Sequence, residues 1–183
     1  MSARRCRRTS VADVPANEAL YRLIDDVAFG DGVIVRSFVN LYGCSIGSGT
    51  QIGPFVEIQR GAVIGERCKV QSHVFVCDGV TIGDGVFVGH GVMFINDRRP
   101  EATAGSGALK GADDWQVEPT VIRDGASLGT GAVIMGGVTI GERALVGAGA
   151  VVVTDVPDGA TVAGVPARTV RPRSLPIDPA APG

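Results

Sequence analysis

The sequence predicts an all-β chain of short stacked coils, and three observations carry that reading. An aliphatic residue recurs every six positions: Ile46, Ile52, Ile58, Ile64, Val70, Val76, Ile82, Val88 and Phe94, then Ile122, Leu128, Ile134, Ile140, Val146 and Val152. Two residues before each lies a second small or branched side chain, from Cys44, Thr50 and Val56 to Val92, and from Thr120 to Ala150. Glycine often follows directly, as at Gly47, Gly53, Gly65, Gly83, Gly89, Gly129, Gly141 and Gly147. A helix, at 3.6 residues per turn, does not generate a period of six. A three-residue strand followed by a three-residue corner does, with the paired residues pointing inward and the one between them outward. One such hexad cannot bury its own apolar pair, so successive coils must stack and share backbone hydrogen bonds.

Taken in chain order, residues 1–26 are a tail and lead-in. Their basic start, Arg4, Arg5, Arg7 and Arg8, is followed by no apolar segment of the kind a signal peptide needs, which favours a frayed, solvated tail. The repeat domain occupies 27–172. Three hexads end at Phe29, Val35 and Leu41, a one-residue slip falls near Tyr42 and Gly43, and nine hexads then run to Phe94. Residues 95–119 break the pattern, six hexads follow to Val152, and 173–183 form a C-terminal tail.

At 183 residues the chain is one domain, and its 27 glycines with few aromatics suit a narrow core of Ile, Val and Ala. A net charge of −2 supplies no general attraction to nucleic acid or an acidic membrane. No run approaches the roughly 20 apolar residues of a spanning helix, so a soluble, cytoplasmic protein is expected. Cys44 and Cys68 occupy the small inward position, where reduced thiols act as compact apolar filler.

The insertion, INDRRPEATAGSGALKGADDWQVEP, contains no hexad, and loops of this length without regular structure are commonly functional or disordered. It carries the single tryptophan, Trp115. The two histidines are His73 and His90, and an imidazole is the commonest general base at neutral pH.

Four stretches, FVEIQRGAVIG, SHVFVCDGVTIGDGVFVGHGVMFINDRRP, VIMGGVTIGERALVGAGAVV and the closing VAGVPARTVRP, resemble the left-handed parallel β-helix acyltransferases, the hexapeptide-repeat family. Within it they are most similar to the branch that N-acetylates amino groups of nucleotide-linked deoxysugars. The resemblance implies three hexads per turn, hence about six coils of eighteen residues, one long inserted loop and a short C-terminal extension. Cys44 and Cys68 then fall on different faces. Gln59 and Arg60 stack above Cys77 and Asp78, these above Ile95 and Asn96, and Met135 and Gly136 come next; His73 and His90 share a neighbouring corner. The resemblance further implies acetyl-CoA as acyl donor, no metal, and a homotrimer whose sites lie between subunits, with the insertion folding over a site. Asn96, His90 and Asp97 are the catalytic candidates, and Arg60, Asp78, Arg98 and Trp115 the substrate-binding ones. Met135, Gly147, Ala148, Ala163 and Arg168 are expected on the cofactor, with Arg171 as a further phosphate contact.

Three other readings compete. A hydroxyl acceptor would lean harder on a histidine base. A γ-type carbonic anhydrase needs three histidines for its metal, and the chain has two. A non-catalytic scaffold has no use for a long insertion bearing a tryptophan.

Overall fold

A computed structural model describes residues 7–9, 21–111, 114 and 116–170. Within them the chain winds as a parallel β-helix with three faces, whose sheets hold seven, eight and seven strands. Each coil crosses the faces in a fixed order. Face one carries strands such as Ser45–Ile46, Val63–Ile64 and Val80–Ile82; face two Gln51–Ile52, Lys69–Val70 and Phe87–Val88; face three Glu57–Ile58, Phe75–Val76 and Met93–Phe94. Ile46 pairs with Ile64 and Val70 with Val88, the expected eighteen-residue step. Phe29 pairs with Ile46, Val35 with Ile52 and Leu41 with Ile58, each one residue shorter, so the slip after Tyr42 is a corner with one residue missing.

The stack is longer than six coils. Arg22–Asp25 joins face three parallel to Val39–Tyr42, ahead of the expected start at residue 27, and Thr161–Ala163 extends face two beside Leu145–Val146. The first is masked in sequence by its polar Arg22 and Asp25. The second follows a shortened coil in which only the bridge Ile140 to Val156 represents face one. Both ends are capped by antiparallel strands: Arg7–Thr9 pairs with Val27–Phe29, so that part of the expected free tail is tied down, and Arg168–Thr169 pairs with Thr161–Ala163. Such caps cover edges that would otherwise offer unpaired backbone groups.

The inward aliphatics form one continuous core, with Leu41, Ile58, Phe94, Leu128, Ile134 and Ile140 fully buried. Thr50 and Thr120 are the polar exceptions at inward positions that their neighbours fill with Cys, Val or Ala, and Thr50 shows how burial is met. Its hydroxyl donates to the Gly65 carbonyl at 2.8 Å and accepts from the Cys68 amide at 2.9 Å, which removes the cost of burying it.

Along the edge between faces one and two, carboxylates replace water as partners of the corner amides. Asp84 accepts from Glu66 N–H at 2.8 Å, Asp124 from Asp84 N–H at 2.9 Å and Asp158 from Glu142 N–H at 2.8 Å. Arg67 pairs with Glu66 at 2.8 Å and with Asp84 at 3.5 Å. This edge is occupied by its own structural bonds.

Candidate functional site

The expected site residues divide between those two edges. On the edge from face two to face three, the corner after Phe87–Val88 carries His90, and Ser72 lies one coil earlier; Ser72 Oγ and His90 Nδ1 are 2.8 Å apart. That bond fixes the exposed imidazole by one nitrogen and leaves Nε2 for another partner. The same edge continues through Thr130 and Ala148, as the bonds from Gly131 N–H to the His90 carbonyl and from Gly149 N–H to the Thr130 carbonyl establish, both 2.8 Å. Gly147 N–H donates to the Val162 carbonyl at 2.8 Å, and Ala163 follows on this edge in register with Arg168 of the terminal strand. Arg168 donates to the Ala167 carbonyl at 2.8 Å and is exposed.

The edge from face three to face one carries the other half. Its column runs as expected: Asn96 Nδ2 donates to the Asp78 carbonyl at 3.1 Å, and Asn96 sits against Gly136. Arg60, mostly exposed, lies over Gly43 and 3.7 Å from Asp26. The Asp78 carboxylate lies over Gly61, where no Cβ intervenes. Met135, half-buried against the core, is the next member of the column; its amide donates to the Val152 carbonyl at 3.0 Å. Asp97 accepts from Arg99 N–H at 2.8 Å. Arg98 donates through Nε to the Gly136 carbonyl at 2.7 Å, with a second contact from its terminal nitrogen, and meets Glu118 at 3.0 Å. Arg98 and Glu118 thus lock both ends of the insertion to the coil beneath. A substrate reaching Arg98 must share it.

His90 and Asn96 are not neighbours. They occupy consecutive edges, with Met93–Phe94 between them. Within the chain His90 shares one edge with Gly147, Ala148 and Ala163, which lie two or more coils further along it, and Asn96 shares the other with Asp78, Asp97, Arg98 and Met135.

The insertion is not a structureless loop. Thr103 and Leu109 form an antiparallel bridge, Ala104 N–H donates to the Ala108 carbonyl at 2.9 Å, and Lys110 meets Glu101 at 2.7 Å. That ion pair lowers the Glu101 carboxyl and raises the Lys110 ammonium, in both cases chiefly through the side-chain hydrogen bond. Val117 lies over Gly79 as the segment returns to the coils. Trp115 and Arg171 lie outside the described residues.

One feature of the edge bearing His90 escaped the sequence reading. Tyr21, Phe38, Phe55 and His73 stack coil over coil, with ring centroids 5.0, 5.0 and 4.8 Å apart. Their spacing of seventeen, seventeen and eighteen residues equals the coil lengths and was the available signal.

The thin pantetheine arm of acetyl-CoA would need an open strip along such an edge. Beyond His73 the same corner position holds Gly91, Gly131 and Gly149, and a Cβ at any of them would meet nothing within 4 Å. The strip is open and bare where a narrow chain would lie, beside Gly147 and Ala148. Among the described residues no group of three His, Cys, Asp or Glu is placed to hold a metal, and no helix is long and apolar enough to cross a membrane.

Comparison with known proteins finds a match to the bacterial transferase hexapeptide family (six repeats) over residues 43–78, 61–96 and 119–154. A serine acetyltransferase of Bacillus subtilis is 38% identical over 130 residues, which are 70% of this chain and 48% of the relative. The match spans about a third to a half of the length of the curated relatives. A hexapeptide-repeat acetyltransferase of Vibrio cholerae, solved in complex with acetyl coenzyme A, is 31% identical with a TM-score of 0.59, covering 70% of each chain. A GDP-perosamine N-acetyl transferase from Caulobacter crescentus, solved with CoA and GDP-perosamine, shares the fold at 24% identity and a TM-score of 0.55, over 85% of this chain and 60% of its own.

Proposed function

This chain belongs to the bacterial hexapeptide-repeat transferase family, and from that premise we propose that it is an acetyl-CoA-dependent acetyltransferase acting on the amino group of a nucleotide-linked amino-deoxysugar. The observation that carries the reading is the pair of columns bordering face three: an oriented imidazole beside a bare glycine strip on one edge, and the Asp78–Asn96 column at the root of the insertion on the other. Neither column is a whole site. A homotrimer, in which one edge of each prism faces the other edge of its neighbour, makes them one.

Acetyl-CoA supplies an acyl carbonyl already activated as a thioester. What the protein must add is position and proton handling. Gly131, Gly149, Gly147 and Ala148 leave room for the pantetheine arm along the edge bearing His90, and Met135 and Arg168 are proposed as its further contacts. In the tautomer that donates Nδ1–H to Ser72 Oγ, Nε2 of His90 presents a lone pair and takes a proton from the incoming amine. Asn96, with Asp97 beside it, holds the amine against the carbonyl, and Asp78 and Arg60 bind the sugar side, where correct placement is itself a large part of the rate.

A second reading, transfer to a hydroxyl, is favoured by the Ser72-anchored His90, because a hydroxyl needs the base that an amine can do without. Incubation with acetyl-CoA and a panel of nucleoside-diphosphate amino sugars and their hydroxyl counterparts, read by thiol release and product mass, decides the matter. An amide product resists mild hydroxylamine. An ester is cleaved by it, and a cleavable product from the hydroxyl series alone would replace the proposal with the second reading.

A further inference from the structure

Along the edge that carries His90, one corner position changes character in a single step. It holds rings at Phe38, Phe55 and His73, and then no side chain at all at Gly91, Gly131 and Gly149. Backbone bonds keep the later four in one column: His73 N–H donates to the Pro54 carbonyl at 3.1 Å, Gly91 N–H to that of Ser72 at 2.9 Å, and Gly131 and Gly149 N–H to those of His90 and Thr130, both at 2.8 Å. The step from ring to bare backbone falls between His73 and Gly91. That is the coil on which His90 stands.

His73 is the last rung of the aromatic ladder, and the ladder holds it. Its imidazole lies 4.8 Å from the Phe55 ring with 20° between the planes, and Phe55 lies 5.0 Å from Phe38 with 4° between theirs. Stacked near-parallel on the coil before, the exposed imidazole is braced along the axis and turns its other side toward the coil of Gly91. The place of the side chain that Gly91 lacks is open, since a Cβ there would have no heavy atom within 4 Å. This recess lies beside His90, which is fixed through Nδ1 by the Ser72 hydroxyl at 2.8 Å.

We infer that the recess receives the acyl group of the donor and that the His73 ring is its end wall, so that His73 restricts the donor to a short acyl chain. The inference rests on the proposed run of pantetheine along the glycine strip. On that run the arm comes from Gly147, Ala148 and Ala163, and its sulfur reaches His90 from the C-terminal coils. In a thioester the sulfur and the acyl chain lie on opposite sides of the carbonyl carbon. The acyl chain therefore leaves the carbonyl toward the N-terminal coils, which is toward His73. An acetyl methyl takes the place of the missing Gly91 side chain, and a longer chain runs into the imidazole. The incoming nucleophile attacks across the plane of the carbonyl rather than along the strip, so acceptor and acyl chain do not compete for this space. Behind His73 stands Phe55, one coil or about 4.8 Å further on, the reach of roughly four methylene groups. The wall is thus stepped, and removing one rung should admit a chain of intermediate length but not a long one.

The experiment is calorimetric titration of the full chain with CoA, acetyl-CoA, butyryl-CoA and octanoyl-CoA, with molar mass followed by light scattering. Misfit of a single methylene in a closed pocket is worth roughly tenfold or more, so butyryl-CoA and octanoyl-CoA should each bind about tenfold or more weaker than acetyl-CoA. His73→Gly extends the bare strip by one coil, and glycine accepts the φ of 61° at this corner, so the variant should fold as the parent does. It should bring butyryl-CoA to within about threefold of acetyl-CoA, leave octanoyl-CoA excluded by Phe55, and leave CoA affinity and molar mass unchanged. His73→Phe, which keeps a ring and removes the titrating nitrogens, should retain the parent's order. Equal binding of acetyl-CoA and butyryl-CoA by the unmodified chain, an exclusion that survives His73→Gly, or one that is lost in His73→Phe each overturns the inference. So does a fall in molar mass with His73→Gly, which would make the ring part of a seam between copies. Failure of CoA itself to bind removes the proposed cofactor strip and the inference with it. Binding of CoA without discrimination among acyl chains removes the inference alone and leaves the proposed function standing.

Discussion

His90 and Asn96 are each held by one hydrogen bond from the coil before, His90 to the Ser72 hydroxyl and Asn96 to the Asp78 carbonyl. Their proposed roles differ in what a substitution should cost. An amine is partly unprotonated at neutral pH, so His90→Ala should lose no more than about 10²-fold in kcat, recovered in part as pH rises. Asn96→Ala, by misplacing the nucleophile, should lose about 10²-fold or more. Steady-state kinetics with His90→Ala down 10⁴-fold and Asn96→Ala nearly silent would instead favour the hydroxyl acceptor. The thiols make a separate prediction at this scale. Burial pushes Cys44 and Cys77 from an ordinary 9.0 up to about 11, and raises Cys68 too. An unfolded chain ionises these thiols from about pH 9, while the folded one keeps them protonated to about pH 11. Their contribution to stability is thus complete below pH 9 and is lost as pH rises through 11. Melting temperature should fall across that window, and fall less in a Cys44→Ala, Cys77→Ala variant, in which smaller side chains lower the starting value but remove two of the three raised thiols.

At the scale of the coil, spacing decided most of what could be read without coordinates. The inward pairs, the corner glycines and the Asp78–Asn96 column followed from a strict period and one assumed coil length. Arg22–Asp25 did not, because a shortened coil shifts Ile24 out of phase with the series and charged residues flank it. The aromatic ladder went unread because a corner residue lies outside the inward series, and the hairpin within the insertion because its bonds are backbone bonds among Ala, Gly and Lys. Glycines at the two corner positions, directly after the inward aliphatic and two residues further on, should separate experimentally. A Cβ at Gly65 would lie 2.5 Å from the Gly83 carbonyl oxygen of the next coil, so Gly65→Ala must pry coils apart, at about 2 kcal/mol or more. At Gly131 a Cβ meets nothing and only φ of 69° resists it, so Gly131→Ala should cost about 1 kcal/mol. Urea unfolding of the two variants measures the difference, and equal losses would mean that coil contact is not what the edge glycines provide. Arg98→Ala tests the insertion in the same terms: it frees Glu118 and the Gly136 carbonyl at the loop root, and KM for the acceptor should rise several-fold while the midpoint for the coils shifts little.

For the whole molecule, the separation of His90 from Asn96 becomes a statement about assembly. Two columns on consecutive edges of one prism are joined either across face three of that same prism or by the approach of a second copy, and only the second arrangement allows complementation. His90→Ala and Asn96→Ala chains, unfolded and refolded together, give mixed trimers in which the order around the ring is fixed by the two-to-one composition. If a site takes its imidazole from one subunit and its amide from the next, each mixed trimer contains one interface at which both residues are intact, and since about three quarters of the trimers from an equal mixture are mixed, activity should climb to about one quarter of the unmodified enzyme. If both residues serve a site within one prism, every chain carries a defect and mixing leaves activity at the level of the parents. Light scattering on the same samples reads the assembly independently, since three chains of 18.8 kDa are required for the first outcome. A stable, active monomer would remove the shared site altogether and with it the reason for dividing the candidate residues between two edges.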